Sequence, residues 1–388
     1  MSLRRVIAMF GLSAVLLAGC DQAPARVDPE PLAPAWQQVT LPVPPGAPGR
    51  LLLRDAVACA GRWYLVGGVA DAAGDTRPTA WTSTDGAAWR NVPIKADSFY
   101  GRQNVLYAVG CRDGVAAVIG AKVGGAHGYP RVSTWRQRPD GGLVEVQAPF
   151  ETFGGPKAVN VSRLAGGPAG WLIAGNRSSG AAAWVSPDAA EFALVEGAPE
   201  LATDATGVSW AFDAVAGPAG WLAVGGLLPP GRIDRDPAVW TSSDGRSWRR
   251  TVLPGSRDYE ELQRVVLVDG VPVAVGPRGG TFGAWRQEPG GWVAAGGFGR
   301  RAASGVPSVT SLVAAGGRLV VAVADGERHS VWESVDRGGS WRAVRTPVEP
   351  SAGADRDVAL VAVGDRWWLA VDDGQRGGFW TAPVGSGS

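Results

Sequence analysis

Asp55-Ala56-Val57-Ala58-Cys59-Ala60-Gly61-Arg62-Trp63-Tyr64-Leu65-Val66-Gly67 holds two short apolar runs on either side of Ala60-Gly61. Alternating small and β-branched residues suit a pleated strand, and a glycine between the runs suits a tight hairpin turn. The same form returns at Ala214 to Gly225, Val265 to Gly276, Leu312 to Val323 and Leu360 to Val371. A tryptophan follows each hairpin at a near-constant interval: Trp81, Trp135, Trp184, Trp240, Trp285, Trp332 and Trp380, with gaps of 54, 49, 56, 45, 47 and 48 residues. After it comes a polar turn and one more strand, often opened by an aromatic residue and ended by proline, as in Trp89 to Pro93, Trp248 to Pro254 and Trp341 to Pro347. Each unit therefore has four strands. Four-stranded units of about 40 to 50 residues are the mark of propeller blades. The expectation is an all-β, seven-bladed β-propeller with very little helix, its tryptophan series forming core between blades.

The seventh unit stops after Phe379-Trp380-Thr381-Ala382-Pro383 and lacks a fourth strand. Trp36-Gln37-Gln38-Val39-Thr40-Leu41-Pro42 has the aromatic-to-proline form of a fourth strand but precedes the first complete unit. It is expected to join the last blade and close the ring, removing the two exposed sheet edges. The resulting organisation is a signal over 1–19, an Ala/Pro-rich tether over 20–34, the propeller over 35–383 and a flexible tail over 384–388.

Gly 57, Pro 29 and Trp 18 in 388 residues agree with many short strands and tight turns. The thirteen residues from Val6 to Ala18, after Arg4 and Arg5, are long enough for the core of a secretory signal and too short to span a bilayer. Leu17-Ala18-Gly19-Cys20 resembles the lipobox of bacterial lipoproteins, which implies cleavage before Cys20 and lipid attachment to its thiol. That resemblance places the chain at the outer face of a bacterial cytoplasmic membrane, held to the bilayer through Cys20. Losing Arg4 and Arg5 with the signal leaves 35 basic against 36 acidic side chains, so bulk charge predicts no nucleic-acid partner. Two other cysteines, Cys59 and Cys111, fall at repeat-equivalent positions; they either pair as a disulfide, which an oxidising compartment permits, or stay as two buried thiols.

Ser334-Val335-Asp336-Arg337-Gly338-Gly339-Ser340-Trp341 matches the Asp-box pattern Ser-x-Asp-x-Gly-x-Ser/Thr-Trp at every specified position. Forms one residue shorter occur at Ser83-Thr84-Asp85-Gly86-Ala87-Ala88-Trp89 and Ser242-Ser243-Asp244-Gly245-Arg246-Ser247-Trp248, and a reduced one at Ser186-Pro187-Asp188 with Phe192. The chain thereby resembles Asp-box (BNR, sialidase-like) propellers, a group that includes sialidases, some glucan hydrolases, sorting receptors and photosystem assembly factors. In that group the motif joins the third and fourth strands, away from the face that usually binds substrate. Ser83, Asp85, Trp89, Ser242, Asp244, Trp248, Ser334, Asp336, Gly338 and Trp341 are accordingly expected to be structural. The aspartate accepts backbone N–H bonds, the glycine admits a positive φ and the tryptophan covers the hairpin.

Sialidases also use three arginines on the substrate carboxylate, a tyrosine paired with glutamate, an aspartate acid/base and an Arg-Ile-Pro motif. No Arg-Ile-Pro occurs, and Tyr259-Glu260-Glu261, the nearest approach to the nucleophile pair, reads as a solvated loop between blades. Asp97, Glu151, Asp204 and Asp355 lie in loops entering blades and are candidates for a carboxylate pair, though none has a distinguishing neighbour. His127 and His329 are too far apart in sequence to suggest a transition-metal site, and no cofactor motif is present. Arg77, Arg131, Arg328 and Arg376 each stand four residues before the series tryptophan of their unit. Equivalent positions in a ring converge, so these four form a candidate site for an anionic ligand. The functional expectation is a binding or scaffolding module that meets an envelope protein or glycan, rather than an enzyme; the alternative is a glycoside hydrolase, sialidase-like or other, with its carboxylates in the propeller cleft.

Overall fold

In a computed structural model, residues 29–123 and 130–384 are described. They form seven antiparallel sheets arranged as a ring. Among the described residues helix is confined to the single turns Gly101–Gln103 and Phe150–Phe153. In blades 1, 3, 4, 5 and 6 the strands follow one another in chain order from the axis outward, as Arg50–Cys59, Arg62–Ala70, Thr76–Ser83 and Arg90–Asn91 do in blade 1. All seven series tryptophans lie on third strands. Five of them, Trp81, Trp135, Trp184, Trp240 and Trp285, are fully buried, while Trp332 and Trp380 are half-buried. Truncating a buried one to alanine would cost about 3–5 kcal/mol.

The ring closes as its ends require. Gln37 pairs with Thr381 and Gln38 with Trp380, antiparallel, which makes Gln37–Gln38 the outer strand of blade 7. Around this short ladder the indole of Trp36 donates to the Arg345 carbonyl at 2.8 Å, and Val39 N–H donates to the Phe379 carbonyl. The chain then crosses to blade 1, where the Pro42 carbonyl accepts from the Trp81 indole.

There is no single central core. The buried apolar side chains fall into seven clusters, each shared by two neighbouring blades, including Leu53, Trp81, Trp89, Trp368 and Phe379 across the joint between blades 7 and 1. One blade alone cannot bury its faces, so stability comes from the joints. At the joint between blades 1 and 2, Cys59 and Cys111 form a disulfide with Cα atoms 5.4 Å apart.

Two pairings go beyond the four-strand pattern. Ile94–Lys95, on the way out of blade 1, adds a parallel fifth strand to blade 2. Leu32, inside the segment expected as tether, pairs parallel to Val344 on the outer edge of blade 6 and packs into the cluster between blades 6 and 7. Cys20 and most of that segment lie outside the described residues.

The turns after the third strands repeat one hydrogen-bond pattern. Asp85 accepts the N–H groups of Ala87 and Ala88 at 2.8 Å, Asp244 those of Arg246 and Ser247, and Asp336 that of Ser340. Ser83, Ser242 and Ser334 each donate to the aspartate and accept from the turn glycine. Gly86, at φ 71°, is there for two reasons: the left-handed backbone, and a Cβ that would come within 2.3 Å of Trp368. These turns thus contact the preceding blade while closing their own hairpins.

Candidate functional site

The inner strands carry a β-bulge in blades 1, 2, 3, 4 and 6, and the first paired residues after it are Asp55, Ala108, Arg163, Asp213 and Ser311. Bulges re-aim side chains, and here they set a charged belt around the axis. Arg163 donates to Asp55 at 3.1 Å, to the Tyr107 carbonyl at 3.2 Å and, across the channel, to the Thr310 carbonyl at 3.1 Å. Arg264 reaches the same Thr310 carbonyl at 3.3 Å. The belt residues line a cavity of about 320 Å³.

The belt acids also fasten blades together. Asp55 accepts from Val109 N–H of the next blade and Asp213 from Val265 N–H, and Ser311 accepts from Leu360 N–H in the same way. Burial raises the carboxyls of Asp55, Asp213 and Asp357 above the usual range, against the pull of Arg163, Arg264 and Arg54. Burial, helped by the like charge of Arg163, pushes Arg264 down to about 10, which still leaves it cationic at neutral pH. With oxygens committed to backbone N–H groups of the next blade, Asp55 and Asp213 serve the ring as cross-links.

A different constellation lies on the face that carries the loops entering each blade. Trp210 and Phe212 from blade 4, Tyr259, Glu261 and Gln263 from the loop entering blade 5, and Arg301 from the loop entering blade 6 line a cleft of about 470 Å³ that runs inward to Arg264. Arg235 stacks 5.1 Å over the Trp210 ring and donates to Glu261 at 2.7 Å and to the Tyr259 hydroxyl at 3.4 Å. Gln263 donates to the other Glu261 oxygen at 2.6 Å. The Arg301 guanidinium stands 5.7 Å over the Tyr259 ring. The Trp210 indole N–H is buried without a hydrogen-bond partner. Burial and the adjacent Glu261 charge raise the Tyr259 phenol, which stays protonated at neutral pH. Three aromatic rings, an unused donor and a guanidinium with no carboxylate partner among the described residues suit a ligand with a flat apolar face and polar or anionic substituents.

The expectation of a solvated loop at Tyr259-Glu260-Glu261 does not hold. Glu260 and Glu261 are buried, and Tyr259 and Glu261, two residues apart and both reached by Arg235, face one cleft. Alternation along an extended segment separates neighbours but reunites i and i+2.

The acids suggested as a channel pair are all exposed: Asp97, Glu151, Asp204 and Asp355. Asp204 is tied up by Thr206 and Arg250, and these bonds hold its carboxyl down at about 2. The channel acids are instead Asp55, Asp213 and Asp357. A signal for them was available, because Asp-Ala-Val recurs at Asp55 and Asp213. Each of the four repeat-equivalent arginines is engaged within its own surroundings. Arg77 donates to the Pro45 carbonyl, Arg376 sits 3.6 Å from Asp373, exposed Arg328 is backbone-paired to Ser351, and Arg131 stacks on Tyr100 and Phe150. His329 is buried, and His127 lies outside the described residues. Among the described residues no cluster of three or more His, Cys, Asp or Glu is placed to hold a metal, and no helix is long and apolar enough to cross a membrane.

The fold defines the class: a seven-bladed, all-β propeller of four-stranded antiparallel blades. No protein-family model matches the chain, and no curated protein matches it. Among solved structures it is similar to a protein from Lactobacillus plantarum (14% identity over 81% of this chain and 92% of that one, TM-score 0.51). It is also similar to the periplasmic gluconolactonase of Pseudomonas aeruginosa (14% identity, 78% and 85% covered, TM-score 0.47). A third is the Trypanosoma rangeli sialidase solved with the inhibitor DANA (10% identity, 92% and 58% covered, TM-score 0.44). At these identities the likeness concerns fold alone.

Proposed function

We propose that this chain is a lipid-anchored, extracytoplasmic binding module, held through Cys20 at the outer face of a bacterial cytoplasmic membrane and presenting the Trp210–Arg301 cleft to an envelope glycan or protein. The observation that carries the reading is the cleft's unfinished chemistry: a buried indole N–H without a partner beside aromatic rings and the guanidinium of Arg301. A sugar ring bearing hydroxyl or carboxylate groups would complete it, stacking on an aromatic face and accepting from the donors. A glycan array probed with the full chain tests this. Trp210→Ala is expected to lower binding at least about tenfold, as loss of one stacking face and donor would, whereas Asp85→Ala on the opposite face leaves it unchanged. Equal loss with both variants would refute the assignment. Cys20→Ala is expected to abolish membrane fractionation without altering glycan binding.

The alternative, glycoside hydrolysis, has one specific observation behind it. Tyr259 and Glu261 share the cleft with Arg235, Arg264 and Arg301, and the resemblance to sialidases implies a tyrosine–glutamate pair and three arginines. Against it, both Glu261 oxygens are already engaged by Arg235 and Gln263. Release of 4-methylumbelliferone from its sialoside by the full chain, lost in Tyr259→Phe, would establish hydrolysis; no release would leave binding as the cleft's role.

A further inference from the structure

A second cavity, of about 360 Å³, opens on the loop face between blades 2 and 3, away from the Trp210–Arg301 cleft. Its described wall is almost wholly apolar, with Tyr107, Phe150, Phe153, Val123 and Val159 around a single cation, Arg131. Three of those side chains are left largely in water: Val123 is 72% exposed, Phe150 57% and Val159 41%. Large apolar groups gathered in water at one cavity mouth mark a binding surface, since each gains roughly 1 kcal/mol or more when covered.

Arg131 gives the cavity its polarity. Its guanidinium lies 4.7 Å over the Phe150 ring and 5.5 Å over the Tyr100 ring, so stacking fixes its plane. Its Nε is buried without a hydrogen-bond partner, and no carboxylate among the described residues forms an ion pair with it. The adjoining acid, Glu145, is committed elsewhere: its oxygens accept from Ser98, from Ser133 and from the N–H groups of Asp97 and Ser98. Residues 124–129, which join Val123 to Pro130, form no part of the site considered.

We infer that this cavity binds a small organic anion with an apolar body, of the aryl-alkyl carboxylate class, with the apolar part against Phe150, Phe153 and Val159 and the carboxylate on Arg131. The cavity volume lies within the range of small-molecule sites, where a mostly apolar wall supplies affinity and one oriented charge supplies specificity. A guanidinium held against two rings has lost much of its rotamer freedom in advance, so an arriving carboxylate meets a preset partner.

Isothermal titration of the full chain with 4-phenylbutyrate, and with its neutral amide, tests the site. Saturable one-to-one binding of the acid is expected, weakened at least about tenfold in Arg131→Gln, with the amide bound alike by both proteins. Phe150→Ala, at an exposed position that the fold tolerates, should weaken acid and amide together. Arg301→Gln, in the other cleft, should change neither. Absence of saturable binding, equal affinity of wild type and Arg131→Gln for the acid, or loss of binding in Arg301→Gln would each overturn the assignment.

Discussion

Asp244 and Asp213 show how one residue type is driven in opposite directions by its place in a blade. Asp244, in an exposed turn, accepts N–H bonds from Ser247 and Arg246, and these hold its carboxyl down at about 2. Its contribution to stability is present above the unfolded value and is lost as pH falls through about 2. Asp213, beside the axis, is raised by burial despite Arg264 and Arg163. Ionising it costs more in the folded chain than in the unfolded one, so its contribution declines as pH rises from the unfolded value near 3.8 through the higher folded value. Asp213→Asn keeps an acceptor for Val265 N–H but removes the charge. The melting temperature of this variant relative to wild type is expected to climb as pH is raised from about 4 towards neutral; an offset independent of pH would show that the Asp213 carboxylate is not penalised by the fold. The turn aspartates were legible in the sequence because a local motif specifies them. The belt acids were marked only by the recurrence of Asp-Ala-Val at Asp55 and Asp213, and their role could not be read from it because it depends on which strand is innermost and where the bulge falls.

At the scale of strands, what could be read was what repeats. The tryptophan series, the hairpins and the aromatic-to-proline fourth strands gave the blade, and the missing fourth strand of the last unit gave the closure at Gln37–Gln38. Ile94–Lys95 and Leu32 were invisible for a physical reason: pairings this short carry no periodic pattern. The four arginines illustrate the converse. Their spacing is equivalent, but the surrounding loops differ in length and sequence: the guanidinium groups of Arg77, Arg131 and Arg376 each find a local partner, and Arg328 is exposed. Deleting Trp36 to Pro42 should destabilise the protein by about 3 kcal/mol or more, because Val39 and Leu41 pack at the joint between blades 7 and 1 and the indole of Trp36 is tied to Arg345. Deleting residues 21–28, which precede every described contact, should shift the thermal midpoint little. Equal midpoints for the two deletions would contradict closure by the N-terminal strand.

The molecule as a whole separates two tasks by face. One face carries the aspartate turns, which contact the preceding blades and close hairpins; the other carries the loops that build both clefts. Between them the belt of Asp55, Arg163, Asp213 and Arg264 ties the blades across the channel. Such a division suits a rigid scaffold that offers one variable surface. The fold followed from the sequence because hydrophobic periodicity fixes strands and their number fixes the ring. The cleft did not, because its residues come from blades 4, 5 and 6, and only the packing of neighbouring blades brings Trp210, Tyr259 and Arg301 together. The most direct test of a ligand-binding face is photo-crosslinking in native membranes. A benzophenone amino acid would replace Val306, which is 83% exposed at the lip of the cleft, or Val335, which is 61% exposed in an aspartate turn of the opposite face. Capture of one discrete envelope component from position 306, and none from position 335, is the predicted result; equal capture from both positions, or capture from position 335 alone, would contradict the account.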